Sequence, residues 1–98
     1  MKIDFNEKDR KKILASIQEA MGGRKLAELV KFNLKPDALE VVISKLGTST
    51  LTFSESAATS GLTYKLTSEK IAFTHKAFKD EVTQKIMAVI EQAGGKIS

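Results

Sequence analysis

The chain has 98 residues, 42% hydrophobic and 29% charged, with 16 lysines and arginines against 12 acidic residues and a net charge of +4. That length makes one domain, residues 1–98, with room for a single core, and the composition excludes a disordered chain. The absence of cysteine excludes disulfides, thiolate metal ligation and a cysteine nucleophile.

The opening stretch MKIDFNEKDRKK has basic residues but no apolar run behind them, so no signal peptide is expected. The apolar runs ALEVVI and IMAVI are too short to span a bilayer, and a cytoplasmic protein without a membrane partner is the expectation. Residues 1–25 hold seven basic and four acidic side chains, which places most of the positive excess on the first helix.

That helix is predicted to begin near Asn6. Asp4 and Asn6 are good caps, Glu7 and Asp9 suit the positive end of the dipole, and Phe5 is placed to act as a staple. Ile13, Leu14, Ile17 and Met21 then fall on one face at helical spacing. Gly22-Gly23 follows the last of them, as Gly94-Gly95 follows the stripe of the closing helix. A phosphate-binding turn needs its glycines before a helix N-terminus, so both pairs are read as helix stops, with Arg24, Lys25 and Lys96 complementing the negative ends.

Residues 24–30 are ambiguous. Leu26, Leu29 and Val30 would prolong a helix, whereas Val30, Phe32 and Leu34 alternate like a strand, and a strand from about Glu28 is favoured. Pro36 and Asp37 then mark a turn. Alternation continues through Leu39, Val41 and Ile43, through Leu51 and Phe53, through Leu62, Tyr64 and Leu66, and through Ile71 and Phe73. Gly47 marks one connection and TSEK another, and the longer SESAATSG is small and polar enough to be mobile. The closing helix is predicted from about Lys76 to Ala93, with Phe78, Val82, Ile86, Val89, Ile90 and Ala93 as its stripe.

Five strands at about 4.8 Å spacing match the width of two helices packed side by side. The expectation is an α+β two-layer sandwich of order α-β-β-β-β-(β)-α. Two helices lie on one face of a four- to five-stranded antiparallel meander sheet.

Little in this sequence is chemistry. His75 is the sole histidine, with no nucleophile-elbow sequence and no metal-ligand spacing around it, so it is read as structural or solvated; no catalytic residue, metal site or cofactor is assigned. The outward sheet face carries by alternation Lys31, Asn33, Glu40, Val42, Ser44, Thr50, Thr52, Ser54, Thr63, Lys65, Thr67, Ala72 and Thr74. All six aromatic residues go to the core or to the staple, so no platform remains for stacking single-stranded bases.

Helix, antiparallel strands, then a helix with lysines at its start resembles in architecture the double-stranded RNA-binding domain. The chain lacks the Gly-Pro-x-His loop of that family and adds strands to it. Three readings follow. The first is a non-enzymatic binding or regulatory module acting through a protein partner, on Thr50, Thr52, Thr63, Lys65 and Thr67 with the segment Ser56 to Ser60 at the edge. The second is electrostatic binding of double-stranded RNA through Lys76 and Lys79 in the first turn of the closing helix, extended by Lys8, Lys11 and Lys12. The third is a small-ligand binder or acid–base enzyme with Tyr64 and His75 in a pocket between helices and sheet.

Overall fold

The computed structural model describes residues Met1–Ser98. Strand β1 (Lys2–Phe5) leads into helix α1 (Arg10–Met21) and a 3-10 turn (Lys25–Glu28). Strands β2 (Val30–Lys35), β3 (Ala38–Ser44), β4 (Thr48–Ala57) and β5 (Leu62–Lys70) follow. A second 3-10 turn (Phe73–His75), helix α2 (Lys79–Gln92) and strand β6 (Gly95–Ile97) complete the chain. The class is α+β, with two helices and one antiparallel sheet of order β2-β3-β4-β5-β1-β6. No helix is long and apolar enough to cross a membrane.

The four central strands form the meander that the alternation predicts. The sheet nevertheless has six strands, not four or five. β1 was read as the approach to the first helix, but Ile3 and Phe5 face inward and the strand lies between β5 and β6. Because residues 2–5 are held in the sheet, α1 starts later than Asn6. Its N-cap is Asp9, whose carboxylate accepts from the Lys11 N–H at 2.9 Å, while Glu7 accepts from the N–H groups of Lys8 and Asp9. β6 begins with the last glycine of the second pair, Gly95, which opposes Phe5, and pairs Ile97 with Ile3.

Two further expectations fail around TSEK. No turn forms there. β5 runs straight on to Lys70, because a bulge that makes Thr67 of β5 the extra residue opposite the Thr52–Phe53 step of β4 keeps the two strands paired: Phe53 opposes Leu66 but Thr52 opposes Ser68. Ile71 to Thr74 therefore form no strand, and Ala72 and Thr74 leave the outward sheet face. Phe73, assigned to the core by alternation, is 86% exposed. The segment read as mobile is also shorter, since Ser56 and Ala57 pair with Thr63 and Leu62 and the Ala58 N–H bonds to the Gly61 carbonyl. Residues 24–30 divide between the two readings, helical through Glu28 and strand from Val30.

One hydrophobic cluster of 20 buried residues unites the inward side chains of the sheet with Ile13, Ile17, Ala20 and Met21 of α1 and Val82, Ile86, Val89 and Ile90 of α2. Both helices thus cover the same face. The other face is left to solvent. Gly23 and Gly94 carry the positive φ of helix stops, and the Arg24 Nε donates to the Ala20 carbonyl at 2.9 Å, across the end of α1. Lys96 does not serve that purpose; it sits in β6 opposite Asp4.

Candidate functional site

The outward face of the sheet is covered by neither helix. Registry places Thr50 of β4 between Val42 and Lys70, and Thr52 between Glu40 and Ser68. Lys65 of β5 lies between Ser54 and Lys2, and Thr63 between Ser56 and Asp4. Thr50, Thr52, Thr63, Lys65 and Thr67 all lie on this one face. Two of the hydroxyls are engaged: Thr63 donates to the Asp4 carboxylate at 2.6 Å, and Thr67 accepts from Ser54 and donates to the Thr52 carbonyl, both at 3.2 Å, where it bridges the bulge.

The same registry gathers further positive charge on this face. Lys31 and Lys35 of β2, Lys65 and Lys70 of β5, Lys2 of β1 and Lys96 of β6 all take outward positions. The acidic residues among them are Asp4 and Glu40, the latter 3.2 Å from Lys35. Six lysines less two carboxylates give +4, the net charge of the whole chain. The ten basic and ten acidic side chains elsewhere cancel. Within that balance residues 7–25, around α1, keep six basic against three acidic side chains, a local +3 that the other segments offset, so the sheet face is a second basic region beside the first helix.

The lysines flank a charge-poor strip of this face. β3 and β4, second and third of the six strands, form that strip and contribute Val42, Thr50, Thr52 and Ser54 and only Glu40 as a charge. On the lysine side, Lys2 lies directly opposite Lys65. Like charges in that arrangement repel, so the local field is one that an anionic group relieves.

The residues proposed for nucleic acid divide into two groups. Lys8, Lys11 and Lys12 are exposed around the start of α1, at the end of the sheet where Arg10 meets Glu55. Lys76 lies before α2, not in its first turn, with its ammonium 5.8 Å from the Phe73 ring centre. Lys79 opens α2 and is paired with Glu69 at 2.9 Å. The second group adjoins the opposite end of β4, about 20 Å away at the rise of a strand. The fold does not bring the five together.

Tyr64 and His75 are likewise apart, and each is enclosed. Tyr64 is fully buried, packed edge-on to Phe5 at 5.9 Å, with its hydroxyl 3.4 Å from Glu55. Arg10 grips the same carboxylate with two nitrogens at 2.7 Å. Burial, and then the Glu55 charge, push the Tyr64 phenol up to about 12. The hydrogen bond to Glu55 holds Arg10 above its ordinary value. His75 is 2% exposed, its Nε2 lies 2.6 Å from the Lys45 carbonyl and its Nδ1 2.5 Å from the Ser49 hydroxyl. A carbonyl only accepts, so Nε2 carries the proton and Ser49 donates to Nδ1 while accepting from the Ala72 N–H at 2.8 Å. Every polar atom of this relay is satisfied, and no buried side-chain donor or acceptor anywhere lacks a partner.

The relay ties the β3–β4 turn to the segment before α2, and each of the two carries one exposed apolar side chain. Leu46 of the turn is 85% exposed with a positive φ of 54°, and Phe73 of the segment is 86% exposed. The Thr74 hydroxyl donates to the Leu46 carbonyl at 2.8 Å. Of the clefts, one of about 390 Å³ runs beside β2, lined by Gln18, Met21, Gly22, Ala27 and Val30 to Asn33. Another, of about 510 Å³, lies between Lys8–Lys11 and Leu34–Pro36. Neither touches Tyr64 or His75. No group of three or more His, Cys, Asp or Glu side chains is placed to hold a metal ion.

Neither the Arg10–Glu55–Tyr64 cluster nor the Ser49–His75 relay was anticipated from sequence; their members lie 9 to 45 residues from the partners they bond, and no local pattern links them. No protein-family model, no curated protein and no solved structure matches this chain.

Proposed function

We propose that this protein is a small binding module whose outward sheet face docks an acidic surface of a protein partner. The observation that carries this reading is the gathering of six lysines against two carboxylates on that face, on either side of the charge-poor strands β3 and β4. Stable interfaces have a desolvated centre low in charge and a polar rim. Val42, Thr50, Thr52 and Ser54 fit the centre, since short and β-branched side chains lose little rotamer freedom on burial. The lysines fit the rim, where they steer an acidic partner and set salt dependence.

The test is capture from source lysate by the parent protein and by two folded variants, Thr52→Glu and Lys65→Glu with Lys70→Glu. Acidic proteins retained by the parent, released by added salt and lost in both variants are the expected result. Partners that ignore both variants would place the binding surface elsewhere. Capture abolished by nuclease would transfer the same face to a nucleic-acid reading.

A further inference from the structure

We infer that two copies of this chain join edge to edge through β2, antiparallel about a two-fold axis at Phe32, to form one continuous sheet. β2 ends the sheet and pairs only with β3. The Ser44 N–H bonds to the Leu29 carbonyl at 2.8 Å, and Leu29 stands opposite Ser44 in the register that pairs Val30 with Ile43. Hydrogen-bonded and non-bonded pairs alternate along an antiparallel ladder. Lys31, Asn33 and Lys35 therefore spend their backbone groups on β3. Val30, Phe32 and Leu34 direct theirs at the open edge.

Val30–Lys35 has no proline, no bulge and no inward charge, and the lysines that guard its outward face, Lys31 and Lys35, leave the inward row Val30, Phe32 and Leu34 uncharged. Its sequence is complementary to itself. With Phe32 opposite Phe32 of the second copy, Val30 opposes Leu34 and Leu34 opposes Val30. Every free N–H and C=O of these three residues then meets a free partner. On the outward face Lys31 opposes Asn33, so no lysine faces a lysine. Moving the register two residues onward sets Lys31 against Lys35 and leaves a free residue unpaired. On the inward face the apolar row continues across the axis, next to the 390 Å³ cleft that Met21, Ala27 and Phe32 help to line. That cleft gives the second copy's inward side chains a place to lie. The union extends the basic face and rests on none of the binding proposed for it.

Sedimentation equilibrium over a range of concentrations should show a dimer. Leu34→Pro removes an N–H that the monomer does not use, so it should preserve the circular dichroism spectrum. It deletes two hydrogen bonds per dimer and should weaken association about thirtyfold. The chain has no cysteine, so the register can be read by disulfide formation. Lys31→Cys and Asn33→Cys, mixed, stand at a non-bonded pair with about 4.5 Å between Cα atoms, inside the range a disulfide spans. Each variant alone places its thiols on a diagonal, about 7–8 Å apart, outside that range. Cross-linking confined to the mixture supports the proposal, and supports it even if Leu34→Pro fails to fold. A monomer at every concentration, or cross-linking equal in each variant alone, would overturn it.

Discussion

The Ser49 hydroxyl reaches Nδ1 of His75 across 2.5 Å, and neither side chain is exposed to solvent. Ser49→Ala would strip the Ala72 N–H and the His75 ring of a partner at once. A loss of about 1–3 kcal/mol in urea denaturation is expected, the cost of leaving buried polar groups unpaired. His75→Phe, which keeps the ring but not the relay, should cost at least as much. A loss below about 0.5 kcal/mol for Ser49→Ala would show that water repairs the relay.

Tyr64 is the sole tyrosine, and the chain has no tryptophan, so phenolate absorbance reports one group. Its folded value of about 12 stands above the ordinary value of 10, so the folded state holds this proton more tightly than the unfolded state. The resulting stability is fully present below pH 10 and disappears as pH rises toward 12. A shift of that size corresponds to roughly 2–3 kcal/mol before any allowance for rearrangement. Tyr64→Phe should flatten the pH profile of stability between these limits. A titration midpoint near 10 in the folded protein would contradict the enclosure of the ring.

Arg10 and Glu55 differ in exposure, 47% against 6% for their side chains. Arg10→Met would leave a nearly buried carboxylate facing Tyr64 without its cation. A loss of stability is expected in urea denaturation, larger than for a fully exposed pair because the Glu55 carboxylate is nearly buried, and smaller than for a buried pair because Arg10 is half in water. Removing both charges, Arg10→Met with Glu55→Met, should recover most of that loss. Equal damage from the single and double variants would place the stabilisation in packing.

Leu46 adopts a backbone conformation that suits glycine or asparagine. With its side chain in solvent, Leu46→Asn should raise stability by about 1 kcal/mol. A decrease would reveal a contact that the exposure conceals. Gly61 provides the opposite case: a Cβ there would lie 1.7 Å from the Phe5 carbonyl oxygen. Gly61→Ala should cost about 3 kcal/mol or more, by forcing β1 away from the β4–β5 hairpin.

The parts of this fold legible in the sequence are those with enough residues to show a period. α1, α2 and the strands from Val30 to Leu66 declare themselves by spacing. β1 has four residues and β6 three, too few for alternation to stand out, and Phe5 reads equally well as a staple. The error at Ile71 and Phe73 has another cause. Alternation persisted in the letters after the bulge had shifted the pairing, and a bulge whose residues are Thr67 and Ser68 leaves no mark in composition. The face holding Thr50, Thr52, Thr63, Lys65 and Thr67 follows from alternation alone. Its charge does not, because Lys2, Lys70 and Lys96 join it only through strand order and register.

The position of β1 also sets a timetable. Residues 2–5 are synthesised before either neighbour, since one neighbouring strand begins at Leu62 and the other at Gly95. The meander can pair as it is made, whereas Ile3 and Phe5 must wait, apolar and unshielded, until both flanks exist. Closure of the sheet is therefore the last and most distant contact the chain makes, and one whose loop-closure entropy slows folding. A growing chain arrested before Gly95 would hold its first strand with one edge bare, a state for chaperones to meet and native protein to avoid.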